Sequence, residues 1–295
     1  MAKQVYTSQR FTSKSEALID IMNAIVTDYI GQGFRLTVRQ LYYQLVARDV
    51  IPNTERSYKN TTSLVNDARL AGLMDWDAIE DRTRAFVRQT RWESGGHILR
   101  AAAEGYHMDM WENQECRPFV IIEKEALVGV LEPICASLDV PVLAARGYPS
   151  ASVLREFAVN DLLPVMHSQT IVIIHLGDHD PSGIDMSRDL RDRLDLFTEN
   201  AYNYEFARVA LNMDQIEERK PPPNPAKTTD SRFAEYQRKY GVESWELDAL
   251  PPSYLVELVE SEVDKYRDSD RWAEREAMVE ATKAKLQRIA KGFRI

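Results

Sequence analysis

Ile171-Val-Ile-Ile-His-Leu-Gly-Asp178-His-Asp180-Pro181-Ser-Gly183 is the stretch that decides the fold class. A β-branched apolar run ends in two aspartates, then proline and glycine, then a helix-like segment. Upstream, Phe119-Val-Ile-Ile122 is a second apolar run, and it ends in Glu123. In open α/β sheets, ligands collect outside the carboxyl ends of the strands, which is where these acids fall. Carboxylates from neighbouring strands suit a hard divalent cation such as Mg²⁺. That chemistry serves phosphodiester bonds, so the expectation is an enzyme acting on nucleic acid.

Working outward, residues 118–211 alternate short apolar strands with amphipathic helices, which predicts a parallel sheet. Strands are expected at 119–122, 140–145, 171–176 and 204–211, and helices at 125–138, 150–163 and 183–197. Lys220-Pro-Pro-Pro-Asn-Pro-Ala-Lys227 reads as an extended connector, because proline fixes φ and removes a donor. Helices are expected at about 230–240, 252–267 and 270–291. Upstream, Ser13 and Glu16 match a capping box for a helix over 13–31. Thr37 caps a second helix to about Arg48, and a third runs from Glu55 to Leu70, closed by Gly72. Three helices with short turns resemble a helix-turn-helix unit. Residues 73–84 are expected to form a strand-like wing, and a helix over 92–111 to link the halves.

The chain has 295 residues, 44% hydrophobic and 28% charged, which suits two soluble domains. No apolar run approaches the roughly 18 residues of a membrane span, and the N-terminal segment has no apolar h-region, so secretion is not expected. Two cysteines, Cys116 and Cys135, fit a reduced cytoplasm. The net charge of −9 is awkward for a nucleic-acid protein, but residues 1–117 are charge-balanced and the whole excess falls downstream. A DNA-facing patch is therefore expected in the N-terminal part, drawing on Arg35, Arg39, Arg56, Lys59, Arg69, Arg82, Arg84, Arg88 and Arg91. A solvated helical face is the alternative reading of the same residues.

Three segments carry a resemblance. Val120-Ile-Ile-Glu123-Lys124-Glu125-Ala, Arg146-Gly147-Tyr-Pro149-Ser and Gly177-Asp178-His-Asp180-Pro-Ser-Gly183 resemble a Toprim domain. The variant is similar to that of the topoisomerase VI A subunit and the related meiotic double-strand-break protein. In size and plan the chain looks closest to the stand-alone "mini-A" homologues of mobile elements. The resemblance implies that Glu123, Asp178 and Asp180 hold Mg²⁺, for which Mn²⁺ can substitute, with Glu125 an alternative acid. It implies that Gly147 permits close backbone approach and that Lys124 and Gly147 join the DNA-binding set. Ser244-Trp-Glu246-Leu-Asp248-Ala-Leu250 is similar to a later motif of the family, which makes Glu246 a further ligand candidate. The other reading of that segment is an amphipathic helix start.

Thr37-Val-Arg39-Gln-Leu-Tyr42-Tyr43 resembles the family segment that carries a nucleophilic tyrosine, which would be Tyr43. A phenol with a pKa near ~10 needs a neighbouring cation, base or metal to act, and Arg39 lies one turn away. Tyr42 and Tyr43 also sit among Leu41 and Leu45, where aromatic pairs are usually core. Histidines His175 and His179 flank the acids, and the resemblance gives neither a role.

The expected architecture is α/β: a winged-helix domain (1–92), a linker helix (93–117), a Toprim core (118–219) and a connector with C-terminal helices (220–295). The expected function is Mg²⁺-dependent cleavage of duplex DNA by a homodimer through a tyrosyl-DNA link, each tyrosine serving its partner's metal site. The alternatives are a hydrolytic Toprim nuclease, similar to the Wadjet nuclease subunit, and a non-catalytic DNA-binding module. With no Gly-rich phosphate loop in the chain, any strand passage would need a separate ATPase subunit.

Overall fold

The computed structural model describes residues 3–80, 90–199 and 203–292. Helix α1 (Ser13–Gly31) is capped by Thr12, whose hydroxyl accepts from the Ser15 amide, one residue earlier than the expected Ser13 cap. Ser13 is itself the first helical residue, so Thr12 is the residue with the extended backbone that an N-cap needs. Helix α2 (Val38–Ala47) starts with a reciprocal capping box between Thr37 and Gln40. Helix α3 (Glu55–Leu70) has the bounds read from the sequence. The three close on Met22, Ile25, Leu36, Leu41, Leu45, Val65 and Met74.

The expected wing is not a strand where it is described. Trp76–Ala78 is a 3-10 turn, and a lone parallel bridge joins Leu36 to Ile79. Residues 81–89, with Arg82, Arg84 and Arg88, lie outside the described residues. The expected linker helix is also shorter, α4 (Gly95–Glu104), capped by Ser94 and ended at Gly105.

Strands β1 (Cys116–Ile122), β2 (Val142–Ala144), β3 (Thr170–Leu176) and β4 (Tyr204–Ala210) form one parallel sheet in the order β2-β1-β3-β4. Helices α5 (Glu125–Ser137), α6 (Ala151–Phe157) and α7 (Pro181–Phe197) connect them, α6 running on into a π-helical turn over Ala158–Leu162. Alternate strand residues face opposite layers, as the two-residue period demands. Val120, Ile122, Val172 and Ile174 pack with Leu127 and Leu131 of α5, while Phe119, Ile121, Ile171 and Ile173 meet Leu154, Met186 and Leu190.

After the sheet comes α8 (Met213–Arg219), which the sequence reading passed over although Gln215 reaches back to the Asn212 amide as in a capping box. The connector is not wholly extended coil. Within it, β5 (Asn224–Pro225) pairs antiparallel with β6 (Glu243–Ser244), across α9 (Phe233–Tyr240). Trp245 then exchanges both backbone hydrogen bonds with His179, pinning the chain over the carboxyl edge of the sheet. A 3-10 turn, Leu247–Ala249, leads to α10 (Pro252–Asp264), whose Leu255 and Val259 complete the α5 layer. The last helix, α11 (Ser269–Gly292), packs against α4.

Ala249 sits in a small cluster with Tyr42, Tyr43 and Val46, so α2 is fastened to the carboxyl edge. Among the described residues no helix is long and apolar enough to cross a membrane. Because the Thr37 cap sets the start of α2, Thr37→Ala should cost about 1 kcal/mol of stability, a thermal midpoint lower by roughly 2–4 °C. An unchanged midpoint in thermal unfolding would refute that role.

Candidate functional site

Strand β1 ends at Ile122 and α5 begins at Glu125, so Glu123 and Lys124 make the whole turn between them. The register places Ile122 beside Leu176, which brings Glu123 against Gly177 and Asp178. Glu123 Oε2 accepts the Asp178 amide at 2.9 Å. Two glycines make that approach possible. A Cβ on Gly177 would lie 3.1 Å from Glu123 Oε2, and one on Gly183 would lie 2.3 Å from the Asp178 carbonyl oxygen. Gly147 has a φ of +87°, the left-handed region that favours glycine, and a Cβ there would meet nothing within 4 Å.

Asp180 caps α7, its Oδ1 accepting from the Gly183 amide at 2.6 Å and the Ser182 hydroxyl at 3.0 Å, with Pro181 in the first turn. Asp178 points the other way. Its Oδ1 accepts the Leu247 amide at 2.8 Å and its Oδ2 lies 3.0 Å from Lys124 Nζ. The same ammonium is 2.7 Å from Glu246 Oε2 and 3.0 Å from Asp248 Oδ2. Arg39 of α2 joins this group, pairing with Glu246 and lying 3.2 Å from Asp248. Lys124 is thus a half-buried counter-ion to three carboxylates.

Arg208 and Asp248 are the two functional-looking residues that sequence reasoning missed. Arg208 donates to the carbonyls of Gly177 (3.0 Å), Asp178 (2.7 Å), Gly183 (3.0 Å) and Leu211 (3.3 Å), and to the Ser187 hydroxyl (2.7 Å). It clamps the acidic loop from behind. The available signal was an arginine within the 206–210 end of the fourth strand, where its neighbours are apolar. Asp248 is 1% exposed, and a charge so buried demands a partner.

Burial pushes the Glu123 carboxyl up, and Asp180 adds to this against the opposing Asp178 amide, Lys124 and Arg208. Burial likewise raises Asp178 to about 7, with Glu123 reinforcing it and Lys124 opposing. Burial acts on Glu246 too, but there Lys124 and Arg39 win and hold it below its usual range. Five carboxylates (Glu123, Asp178, Asp180, Glu246 and Asp248) face three cations (Lys124, Arg39 and Arg208), which leaves two negative charges over when all are ionised. An all-oxygen donor set with that surplus fits a divalent hard cation in charge and chemistry. Among the described residues, however, no three such side chains already converge on a common point. The ammonium of Lys124 fills the space between Asp178 and Glu246.

Tyr43 lines a cavity of about 430 Å³ together with Arg39, Tyr42, Asn53, Tyr58, Asn224 and Glu246. Its hydroxyl oxygen accepts from Asn224 Nδ2 at 3.3 Å. Burial, aided by Glu246, raises it to about 12, and Arg39 spends its charge on Glu246 and Asp248. Arg56 and Lys59 lie exposed on α3, where Lys59 pairs with Glu55 at 2.7 Å. Arg69 does not face outward: it donates to the carbonyls of Trp76 and Ile79 and closes the 3-10 turn. His175 contacts the Ser187 hydroxyl at 3.0 Å and His179 the Tyr236 hydroxyl at 2.8 Å, both as buried packing residues.

The Asp178 carboxyl stands near 7 in the fold against an ordinary 3.8, so the folded state binds its proton more tightly than the unfolded state. Stability from this group is therefore lost as pH rises between those values. Metal-free Asp178→Asn should gain in thermal midpoint on the parent protein as pH goes from 5 to 8. A difference independent of pH would contradict the assignment.

No family model matches the chain, and no curated protein matches it.

Proposed function

We propose that this protein is a Mg²⁺-dependent DNA-cleaving enzyme of the Toprim plan its motifs resemble, acting in the cytoplasm on duplex DNA as a homodimer. The observation that carries the reading is the pair Glu123 and Asp178, set side by side at the carboxyl ends of neighbouring parallel strands and both raised by burial. Acids pushed towards the neutral form by burial beside specific charged partners are candidates for a functional site. Glu123, Asp178 and Asp180 would hold the ion. Bound Mg²⁺, or Mn²⁺ in its place, would offset phosphate charge and stabilise the leaving oxygen.

Each side chain then has a task. Arg208 keeps the acidic loop in one shape. Lys124 holds Glu246 and Asp248 against the loop until a strand enters, and Arg39 offers a guanidinium to the phosphate when it leaves Glu246. Two copies related by a two-fold axis match the two strands of a duplex. Because α2 lies over the carboxylates of its own chain, neither copy needs to lend its tyrosine to the other. A separate ATPase subunit belongs to this reading only if strands are passed as well as cut.

Water is the better-supported nucleophile. The Tyr43 hydroxyl holds its proton at neutral pH, because burial outweighs the pull of Arg39 and Lys124, whose ion pairs go to carboxylates. The tyrosyl route has one observation on its side. Tyr43 shares its cavity with Glu246, and the Asn224 amide donated to the phenolic oxygen favours the phenolate.

Supercoiled plasmid incubated with Mg²⁺ or Mn²⁺ and stopped with detergent, with and without protease, tests both. The expected product has free ends, is abolished in Glu123→Gln and Asp178→Asn, and largely survives Tyr43→Phe. Ends whose mobility changes on protease treatment, and which vanish in Tyr43→Phe, would establish the tyrosyl route. Absence of cutting with either metal by folded, dimeric protein would overturn the proposal.

A further inference from the structure

The cavity beside the carboxylates has a chemistry that phosphate cleavage does not use. Its wall is a row of tyrosines. The Tyr42 ring lies 5.2 Å from Tyr43 and 5.3 Å from Tyr58, both in edge-to-face geometry. Its opposite side comes from the connector, through Asn224 and Pro225. Asn53 ties the two sides together, accepting from the Tyr42 hydroxyl at 2.8 Å and donating at 2.8 Å to both the Pro223 carbonyl and Asn224 Oδ1. The walls are thus preorganised rather than loosely apposed. About 430 Å³ is within the roughly 300–1,000 Å³ usual for cavities that take small organic ligands.

We propose that this cavity receives an unpaired nucleobase of a DNA strand whose neighbouring phosphate lies at the carboxylate site. The inference rests on the reading of the protein as a DNA-cleaving enzyme and adds the form of its substrate. A planar, polar-edged ring is what a tyrosine wall with amide corners accepts, since stacking needs only a π-face and the edge needs hydrogen-bond partners. The Tyr43 hydroxyl oxygen accepts from Asn224, which leaves its hydrogen for an acceptor on the incoming ring. Glu246 lines the cavity and shares the Lys124 ammonium with Asp178, so the nucleotide after the captured base reaches the carboxylates directly. Exposed Arg56 follows the lining residue Glu55, and exposed Lys227 lies two positions beyond Pro225, one on each side for the flanking phosphates. Stacking also answers the charge problem. A chain of net charge −9 gains less from phosphates than a basic protein does, and base contacts supply affinity that salt does not screen.

The test measures binding in chelator, without metal, so it stands or falls separately from cleavage. Full-length protein is titrated with a fluorescently labelled single-stranded 12-mer, with an abasic strand of equal length, and with the 12-mer paired in a duplex. The base-bearing strand is expected to bind at least tenfold more tightly than the abasic one. Tyr58→Ala, on the half-buried end of the wall, should remove most of that difference, and a duplex carrying one unpaired base should bind more tightly than the fully paired one. Equal affinity for base-bearing and abasic strands would overturn the inference using the unmodified protein alone, whatever the variant does. A mononucleotide that displaces the strand at comparable concentration would overturn the strand as ligand and assign the cavity to free nucleotides. A protein that cuts plasmid yet ignores the bases would leave the proposed function intact and remove only this one.

Discussion

The ammonium of Lys124 is the contact on which the rest of the structure turns. It lies between carboxylates from two separate segments, Asp178 after the third strand and Glu246 and Asp248 after the connector. Removing a charge from water is expensive, and the cost is offset only when partners are close and well placed. Here the partners fix where the connector must cross the sheet. Arg39 extends the network to the second helix, so the N-terminal helical unit is held to the sheet by charge as well as by the packing of Tyr42, Tyr43 and Val46 on Ala249. Such networks are weak as sources of stability and strong as sources of register. Asn53, bonded to Pro223 and Asn224, and the backbone pair between Trp245 and His179 share in fixing how the parts meet over the acidic loop.

Behind the loop, Arg208 works in the opposite sense, through carbonyls rather than carboxylates. Four backbone oxygens and one hydroxyl take its donors, so the turn between the third strand and its helix is bound from within. The acids are left facing forward. Gly177 and Gly183 are empty at Cβ for the same reason, since any side chain there would meet Glu123 or the Asp178 carbonyl. A site made this way is stiff in its backbone and unbalanced in its charge, as the proposed ion site requires.

Much of this was legible in the sequence, and the limits have physical causes. The strands at 116–122 and 170–176 were plain because buried parallel strands are continuous apolar runs. The third helix was plain because Gly72 closes it, while its cap, Thr54, emerged only from the fold. Glu123, Asp178 and Asp180 were legible as strand-end acids. Their division of labour was not, because the Asp180 cap and the Asp178–Leu247 contact depend on tertiary placement. Arg208 and Asp248 escaped because a buried charge is recognised by its partners, and those partners are distant in sequence. The expectation that Arg39 would attend Tyr43 came from helical spacing alone. In the fold its guanidinium lies 6.0 Å from the Tyr43 ring, as that spacing allows, and its ion pairs go to two carboxylates more than two hundred residues away.

That last separation has a bearing on how the protein is made. Arg39 and Glu246 are 207 positions apart, and Lys124 and Glu246 are 122 apart. Contacts of such range form late, after the loops between them have closed. A chain leaving the ribosome can complete its helical unit and most of its sheet while the carboxylate cluster still lacks Glu246 and Asp248. Assembly of the site therefore waits on translation past residue 248, and shorter nascent chains carry the acids without the geometry that unites them.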